Sequence, residues 1–312
     1  MRGRMRFGGF FRERDLHTSP LAVAAYRALR RGASAAGLHV VLKTFYSPIP
    51  ELDELPDGAL DRVSPLAGVE FDLDAQLAWL ERELAATMRE FRPPPAGDAP
   101  AGVYALGTAS YTQLDATVLY GTIRRLRPRR VIELGSGSST LVIAQALRAN
   151  AAEGSVARLD VYDPYPGVVT EGLPGLSALH RVRAQDVPVA AFEELRQGDV
   201  LFVDTTHTVK LGSDVNFVIL DVLPRLAPGV TVHVHDIFLP YEYPRQWLED
   251  FALFWNEQYL LQAFLAGNRD WELLCAVAAL TRDRQERFAA LLPEGVPARE
   301  GSAFWMRRTG PG

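Results

Sequence analysis

Apolar residues in the first hundred positions recur with the spacing of helices. One stripe repeats at intervals of three and four residues and predicts an amphipathic helix over about 74–91; it consists of Leu73, Leu77, Leu80, Leu84 and Met88. An earlier helix is predicted to begin at Pro20, with Ser19 as its N-cap, and to end at Gly32. The run "RPPPAGDAP" at 92–100 then predicts a semi-rigid linker. We therefore expect an N-terminal helical cap over residues 1–100 that ends in this linker.

Beyond residue 100, short apolar runs alternate with helical segments. The predicted strands occupy 129–135, 158–163, 179–186, 199–204, 230–236, 271–282 and 301–308. The predicted helices between them include 139–150, 213–226 and a long stretch over about 245–267. Strands that alternate with helices pair in parallel and form a doubly wound sheet. We expect an α/β fold in which a mostly parallel, seven-stranded sheet forms a second domain over residues 101–312.

Composition and charge narrow the class of protein. Hydrophobic residues make up 48% of the chain, and the formal net charge of −5 argues against a general nucleic-acid-binding protein. No apolar run approaches the ~18 residues of a membrane helix. The single cysteine, Cys275, lies in the apolar run "WELLCAVAAL" and is expected in the core. We expect a cytoplasmic protein without nucleic-acid or membrane partners, and the sequence leaves a homo-oligomer open.

Basic residues are frequent at the start of the chain. No apolar segment follows them, so a secretory signal is not predicted there; they are Arg2, Arg4, Arg6, Arg12 and Arg14. We interpret this segment as a solvated terminus.

The segment "VIELGSGSST", at 131–140, joins a predicted strand to a predicted helix through a glycine-rich turn. Glycines let the backbone approach a ligand closely, and the first N–H groups of a helix bind polar ligand atoms. Thr140 stands where a nicotinamide-binding fingerprint has its third glycine, and the absence of a G-K-[ST] ending excludes a P-loop. Asp163 ends the second strand and is predicted to bind ribose hydroxyls, because turn, spacing and strand order agree; the alternative is that it caps a turn before Pro164.

Several motifs together resemble class I S-adenosylmethionine-dependent methyltransferases, in particular a bacterial branch associated with natural-product and polysaccharide genes. They are "VIELGSGSST", "VYDPYP", "RAQDVP", "GDVLFVDTTHTVKLGSDVN" and "VHVHDIFLPYEYP". The resemblance covers about residues 100–312 and implies a Rossmann-like methyltransferase sheet with S-adenosyl-L-methionine as cofactor. The cofactor-binding residues that it implies are Glu133, Gly135, Ser136, Gly137, Ser138, Asp163, Pro164, Asp186 and Val187.

The resemblance also implies a position for each part of the cofactor. Its methionine portion would contact Glu133 and the turn glycines, its ribose would bind Asp163, and its adenine would lie beside Asp186 and Val187. Ser138 stands where relatives often have an aromatic residue, and "DTTH" replaces the commoner "DSSH". These departures leave the cofactor prediction intact and make the substrate harder to predict.

Two strands that we expect to be neighbours end in ionisable residues. Asp204 ends one and is followed by His207, while His235 and Asp236 end the other. Ligands bind at the carboxyl ends of strands in open α/β sheets, so we expect these side chains to converge. Asp204, His235 and Asp236 predict a site for a divalent metal (Mg, Mn, Fe or Zn) that lowers the pKa of an acceptor hydroxyl, and catechol-type methyltransferases, which the chain resembles here, place carboxylates at the same strand ends.

A metal-free reaction is the second chemistry that these residues allow. His207 or His235 would then act as the general base, oriented by a neighbouring aspartate such as Asp204. A structural hydrogen-bond network without catalysis is the remaining interpretation. His233 lies deeper in its strand, between two helix-covered faces, and is expected to be a hydrogen-bonded core residue. The segment 254–265 is expected to be a core helix, with the alternative that its aromatic residues line the substrate pocket.

The sequence thus predicts a methyltransferase of EC class 2.1.1 that acts on a hydroxyl, or less favourably an amine, of a small polar metabolite. One alternative is a metal-dependent lyase, cyclase or oxidative enzyme on the same fold, and another is a non-catalytic cofactor-binding protein. A nicotinamide-dependent dehydrogenase is the weakest alternative because of Thr140. The sequence identifies neither the acceptor nor the metal.

Overall fold

Seven strands form one sheet in the computed structural model, in the order β3-β2-β1-β4-β5-β7-β6. Strands β1 to β5 pair in parallel, whereas β7 is antiparallel to both β5 and β6. The order reverses between β1 and β4, and ligands bind at the carboxyl ends of strands beside such a reversal. This confirms the predicted α/β fold, and the strands are β1 (Arg130–Leu134), β2 (Arg158–Tyr162), β3 (Ala178–His180), β4 (Val200–Val203), β5 (Thr231–Val234), β6 (Trp271–Ala276) and β7 (Phe304–Arg308).

The structure describes residues 19–44, 46–107 and 111–310, which belong to two compact units within residues 1–57 and 58–312. The five arginines that the sequence places before residue 15 lie outside the described residues. In the first unit, helix Pro20–Ala35 begins as predicted, since the hydroxyl of Ser19 accepts a hydrogen bond from the N–H of Ala22. It continues past Gly32, where the sequence predicted its end.

Helices cover both faces of the sheet in the second unit. The α-helices are Leu73–Trp79, Ala85–Met88, Gln113–Leu126, Ser138–Ala152, Val189–Glu193, Asp214–Asn216, Arg245–Glu249, Glu257–Leu265, Val277–Asp283 and Gln285–Ala289. Two π-helical segments, Leu80–Leu84 and Phe217–Val222, continue adjacent helices. Short 3₁₀ segments are Leu52–Glu54 (in the first unit), Ala59–Asp61, Ala96–Asp98, Ala184–Asp186 and Leu223–Arg225. No helix in the described ranges is both long and apolar enough to cross a bilayer.

The core consists of two apolar layers, one on each face of the sheet. Alternate residues of β1 belong to different layers, with Val131 in one and Ile132 in the other. Such two-sided burial explains why the central strands read as continuous apolar runs. The predicted stripe joins one of these layers through Leu77, Leu80, Leu84 and Met88. This packing ties residues 73–88 to the sheet, and they belong to the unit that begins at residue 58.

Several predicted elements differ in the structure, and the third strand, expected over 179–186, spans only Ala178–His180. The long helix expected over 245–267 is two short helices, because the N–H groups of Asn256 and Glu257 donate to the carbonyl of His207 and not to a preceding turn. The strand expected over 271–282 ends at Ala276, where its pairing with β7 stops, and helix Val277–Asp283 follows. The interruption of the long helix places residues 255–257 against the loop after β4.

Candidate active site

Gly135 closes the turn after β1, and no larger residue fits there. Its φ of 82° lies in the left-handed region, which favours glycine. A Cβ atom at this position would lie 1.8 Å from the carbonyl oxygen of Asp204, at the end of β4. The turn therefore packs directly against the end of β4, and helix Ser138–Ala152 begins just after it.

Asp163 connects the end of β2 to this turn. One of its carboxylate oxygens accepts hydrogen bonds from the N–H and the hydroxyl of Ser136, at 2.8 and 2.6 Å. The other accepts from the N–H of Tyr165 at 2.7 Å. A cleft of about 590 Å³ lies here, and its lining includes Gly135, Ser136, Asp163, Pro164, Asp204 and Asp214. The structure thus brings four of the predicted cofactor residues together in one cleft.

Glu133 is a fully buried carboxyl group in β1. Its Oε1 accepts a hydrogen bond from the hydroxyl of Ser139 at 2.7 Å, whereas its Oε2 has no partner among the described residues. Burial raises the pKa of Glu133 to about 8, and the nearby charges of Asp204 and Asp163 act in the same direction. A buried oxygen without a partner costs free energy, so this position fits a ligand that donates a hydrogen bond.

Four further predicted cofactor residues are not among the described residues that line the cleft. Gly137 and Ser138 begin the helix after the turn. Asp186 is exposed and bonds to the guanidinium of Arg183 at 2.8 Å, while Val187 is buried in the core. The cleft is lined instead by the residues just before them: Arg183, Ala184 and Gln185.

Asp204, His207 and Asp236 converge at the carboxyl ends of β4 and β5. Nε2 of His207 lies 3.2 Å from Oδ1 of Asp204 and 3.7 Å from Oδ2 of Asp236. One ligand atom from each residue lies within 4.8 Å of the others, so the three fit around one metal ion. The sequence predicted His235 as the histidine ligand, whereas the structure groups His207 with the two aspartates.

Residues 255–257 hold His207 in place. Its Nδ1 lies 2.9 Å from Oε2 of Glu257, a carboxylate that is only 1% exposed. Its ring packs 4.3 Å from the ring of Trp255, and its carbonyl accepts hydrogen bonds from Asn256 and Glu257. These contacts stabilise a φ of 55°, which is uncommon for a residue other than glycine.

His235 is buried beside the three converging residues. Its Nε2 lies 3.7 Å from Oδ1 of Asp236 and 3.5 Å from the hydroxyl of Ser302, and its ring packs 4.8 Å from that of Tyr111. The Ser302 hydroxyl donates to Oδ1 of Asp236 at 2.7 Å. His235 therefore lies within reach of the cluster through Asp236, and its Nδ1 has no partner among the described residues.

His233 is buried as predicted, but it packs against aromatic rings. Its ring stacks on Phe202 at 4.2 Å and lies 4.6 Å from the ring of Trp305. Neither ring nitrogen has a partner among the described residues, which contradicts the expectation of a paired core histidine. Burial lowers the pKa of His233 well below its usual value, so the ring is neutral. His233 thus packs among aromatic side chains next to the site.

Charge is concentrated at His207. Burial alone would lower its pKa, but hydrogen bonds with Asp204 and Glu257 outweigh that effect and raise the pKa to about 10. For Asp204, burial would raise the pKa, but the charge of His235 and the hydrogen bond from His207 lower it to about 2. Burial raises the pKa of Glu257. The cluster therefore favours a positive charge at its centre.

Four residues of the site were not predicted from the sequence. Asp214 fixes the loop after β4 by accepting hydrogen bonds from the N–H and hydroxyl of Thr206, at 2.9 and 2.6 Å. Asp115 is buried and accepts hydrogen bonds from the N–H groups of Ser302 and Ala303, just before β7. The other two are Glu257 and Ser302. The only sequence signal for Glu257 was a carboxylate in an otherwise apolar and aromatic segment.

Comparisons with known proteins give a family match and several similar solved structures. Residues 132–237 match the family model described as "Methyltransferase domain". No curated protein sequence matches the chain significantly. The chain is similar to three solved structures of CmcI, each of which aligns with 70% of this chain. The apo structure has 15% identity, 90% of its own chain aligned and a TM-score of 0.38. The structure with SAH has 16% identity, 98% of its chain aligned and a TM-score of 0.36, and the structure with Mg and SAM has 17% identity, 87% of its chain aligned and a TM-score of 0.36.

The matched segment begins in β1 and ends just after Asp236, so it contains the glycine turn, the cleft beside Asp163 and the three converging residues. The seven strands have a Rossmann-like order, and the segment that matches the methyltransferase model forms the part of this sheet that carries the site.

Proposed function

We propose that this protein transfers the methyl group of S-adenosylmethionine to a hydroxyl oxygen of a small polar metabolite. The observation that carries the proposal is that Asp204 takes part in two arrangements at once. It lines the cleft beside Asp163 and Gly135, and it belongs to the cluster with His207 and Asp236. A hydroxyl bound at the cluster would therefore lie next to a cofactor bound in the cleft.

The methionine portion of the cofactor is proposed to lie at the turn after β1. The unpartnered Oε2 of Glu133 supports this position, because an ammonium group bound there would favour the ionised carboxylate and donate a charge-assisted hydrogen bond to it. The turn residues Gly135, Ser136, Gly137 and Ser138 would supply backbone and hydroxyl contacts nearby.

The ribose is proposed to bind Asp163, next to Pro164. Each oxygen of this carboxylate already accepts hydrogen bonds from Ser136 or Tyr165, yet a carboxylate has about four acceptor sites and retains capacity for hydroxyl groups. The adenine would then lie towards Asp186 and Val187, with the adjacent residues 183–185 forming the wall of the cleft.

The cluster is proposed to hold a divalent metal ion through Asp204, His207 and Asp236, and His207 would release the proton of Nε2 when the ion binds. The donor set fits, since two carboxylates and one imidazole are ligands of Mn, Fe and Zn, and carboxylates alone suit Mg. His235 would serve as a further or alternative ligand from the Asp236 side. A bound ion of this kind would lower the pKa of an acceptor hydroxyl.

The residues then have distinct roles in the transfer. Asp204 and Asp236 would hold the acceptor oxygen in line with the methyl group, and this positioning supplies much of the rate enhancement. The new O–C bond forms as the S–C bond breaks, S-adenosylhomocysteine leaves, and the acceptor proton passes to His235 or solvent. The negative charges of both aspartates would stabilise the positive charge around the reacting centre.

A metal-free reaction with His207 as the general base is the second candidate mechanism. The pKa of about 10 argues against it, because a histidine that already carries both protons at neutral pH accepts no further proton. His235, whose Nδ1 is unpartnered, is the better base in that case.

Methyl transfer itself tests the proposal. Protein treated with a chelator and then supplied with Mg, Mn, Fe or Zn would be incubated with methyl-labelled S-adenosylmethionine and hydroxylated acceptors. Asp204→Asn is expected to abolish transfer while cofactor binding persists. Transfer that is insensitive to both Asp204→Asn and the chelator would contradict the proposed role of the cluster.

A further inference from the structure

We propose that five aromatic residues beside the cluster form a subsite for the flat face of a ring-shaped acceptor that carries the reacting hydroxyl. This aromatic cluster consists of Phe238, Tyr243, Trp247, Trp255 and Tyr259. The inference rests on the proposed function and names the class of acceptor.

The rings of the aromatic cluster contact one another edge to face. The centroids of Phe238 and Trp247 lie 5.2 Å apart with their planes at 89°, and those of Trp247 and Trp255 lie 5.0 Å apart at 76°. Tyr243 contacts Tyr259 at 6.1 Å and 89°. Nearly perpendicular rings present one face and one edge to a molecule beside them, which is the geometry that another flat ring prefers.

The aromatic cluster lies on the acceptor side of the proposed site. Asp204 separates the two sides, because it lines the cofactor cleft and also contacts His207. The His207 ring in turn contacts Trp255 at 4.3 Å, and Phe238 follows Asp236 by two residues. A ring held by the aromatic cluster would therefore lie close to His207 and to the aspartates that His207 contacts.

Four of the five rings are partly exposed and yet fixed in position, whereas Tyr243 is buried. Phe238, Trp247 and Trp255 are each half-buried, so part of each ring remains open to a ligand. Gln258 holds the surrounding backbone, since its side chain accepts from the N–H of Phe238 at 3.0 Å and donates to the carbonyl of Tyr241 at 3.1 Å. Its own N–H donates to the Tyr243 hydroxyl at 3.2 Å. A subsite fixed in this way loses little freedom when a ligand binds.

Two kinds of acceptor share the required chemistry, namely a phenolic ring and a pyranose sugar with an apolar face. Binding would be measured by ligand-observed NMR, with each probe titrated with the full chain. S-adenosylhomocysteine and a diamagnetic divalent metal (Mg or Zn) would be present. The probes are catechol, methyl β-glucopyranoside and an acyclic vicinal diol that has the hydroxyls but no ring.

Three variants test the role of the rings. Trp247→Leu removes a central ring without changing His207, and Trp247→Phe keeps an aromatic ring. Phe251→Leu is the matched control, because Phe251 is 58% exposed and makes none of these ring contacts.

We expect catechol or the glycoside to bind more tightly than the acyclic diol, and the preferred ring identifies which source fits. Trp247→Leu should weaken binding of that ring about 2- to 12-fold, with Trp247→Phe and Phe251→Leu close to the unsubstituted protein. Equal binding of all three probes, or a folded Trp247→Leu variant with unchanged ring affinity, would overturn the subsite. Failure of the unsubstituted protein to bind S-adenosylhomocysteine would instead refute the proposed function, so the two failures are distinct.

Discussion

The carboxylate of Glu257 lies 2.9 Å from Nδ1 of His207, and this contact determines which ring nitrogen faces the two aspartates. Nε2 is thereby directed at Asp204 and Asp236, at 3.2 and 3.7 Å. A carboxylate on the far nitrogen of a metal-binding histidine fixes the ring and raises its basicity. Glu257 is thus a positioning residue that acts through His207.

Replacement of Glu257 by leucine should weaken divalent-metal binding about 10- to 100-fold, because His207 would lose its orienting partner. Glu257→Gln keeps a hydrogen-bonding oxygen and should lose less. The affinity for Mn²⁺ is measured by titrating chelator-treated protein with Mn²⁺ while electron paramagnetic resonance monitors the concentration of the free ion. Glu249→Gln is the control, since Glu249 is exposed and pairs only with Arg245 among the described residues. Unchanged Mn²⁺ affinity in a folded Glu257→Leu variant would refute this role.

The turn after β1 should not tolerate a side chain. Gly135→Ala combines a left-handed backbone with a contact to the Asp204 carbonyl, and should lower the free energy of unfolding by about 2–5 kcal/mol. Gly154→Ala has a similar φ of 89° but no atom within 4 Å of the added Cβ, so its cost should be about 1–2 kcal/mol. Urea denaturation of both variants compares them. Equal losses in the free energy of unfolding of the two variants would show that the contact with the Asp204 carbonyl adds nothing to the destabilisation.

Stability should depend on pH through Glu133. Its pKa is raised from 4.5 to about 8 in the folded protein, so the folded state holds this proton more tightly than the unfolded chain. The resulting stabilisation is fully present below the unfolded pKa of 4.5 and is lost as the pH rises through about 8, by at most about 5 kcal/mol.

Urea unfolding of the unsubstituted protein and of Glu133→Gln, between about pH 5 and pH 8, isolates this contribution. The unsubstituted protein should lose stability relative to the variant as the pH rises, because glutamine does not ionise. A difference that stays constant with pH would show that Glu133 keeps an ordinary pKa.

The sheet was predictable from the sequence because buried parallel strands are short apolar runs between helices. The convergence of Asp204, His207 and Asp236 also followed, since β4 and β5 are adjacent and parallel. Their loops were not predictable. The choice of His207 over His235 as the histidine nearest both aspartates depends on a left-handed φ at His207, which periodicity does not indicate.

The supporting residues of the site come from distant parts of the chain. Glu257 reaches His207 only because the helix expected over 245–267 is interrupted, and that interruption depends on hydrogen bonds to the His207 carbonyl. Ser302 reaches Asp236 because β7 is inserted between β5 and β6. Such tertiary contacts override the local preference for a continuous helix, and a single sequence carries no separate signal for them.

Cofactor binding at Asp163 is the central claim, and calorimetric titration of S-adenosylmethionine tests it most directly. Asp163 joins the end of β2 to the glycine turn through Ser136. We expect saturable binding by the unsubstituted protein, loss of binding in Asp163→Ala, and no change in the exposed control Asp250→Ala. The absence of saturable binding by the unsubstituted protein, with or without divalent metal, would contradict the methyltransferase account.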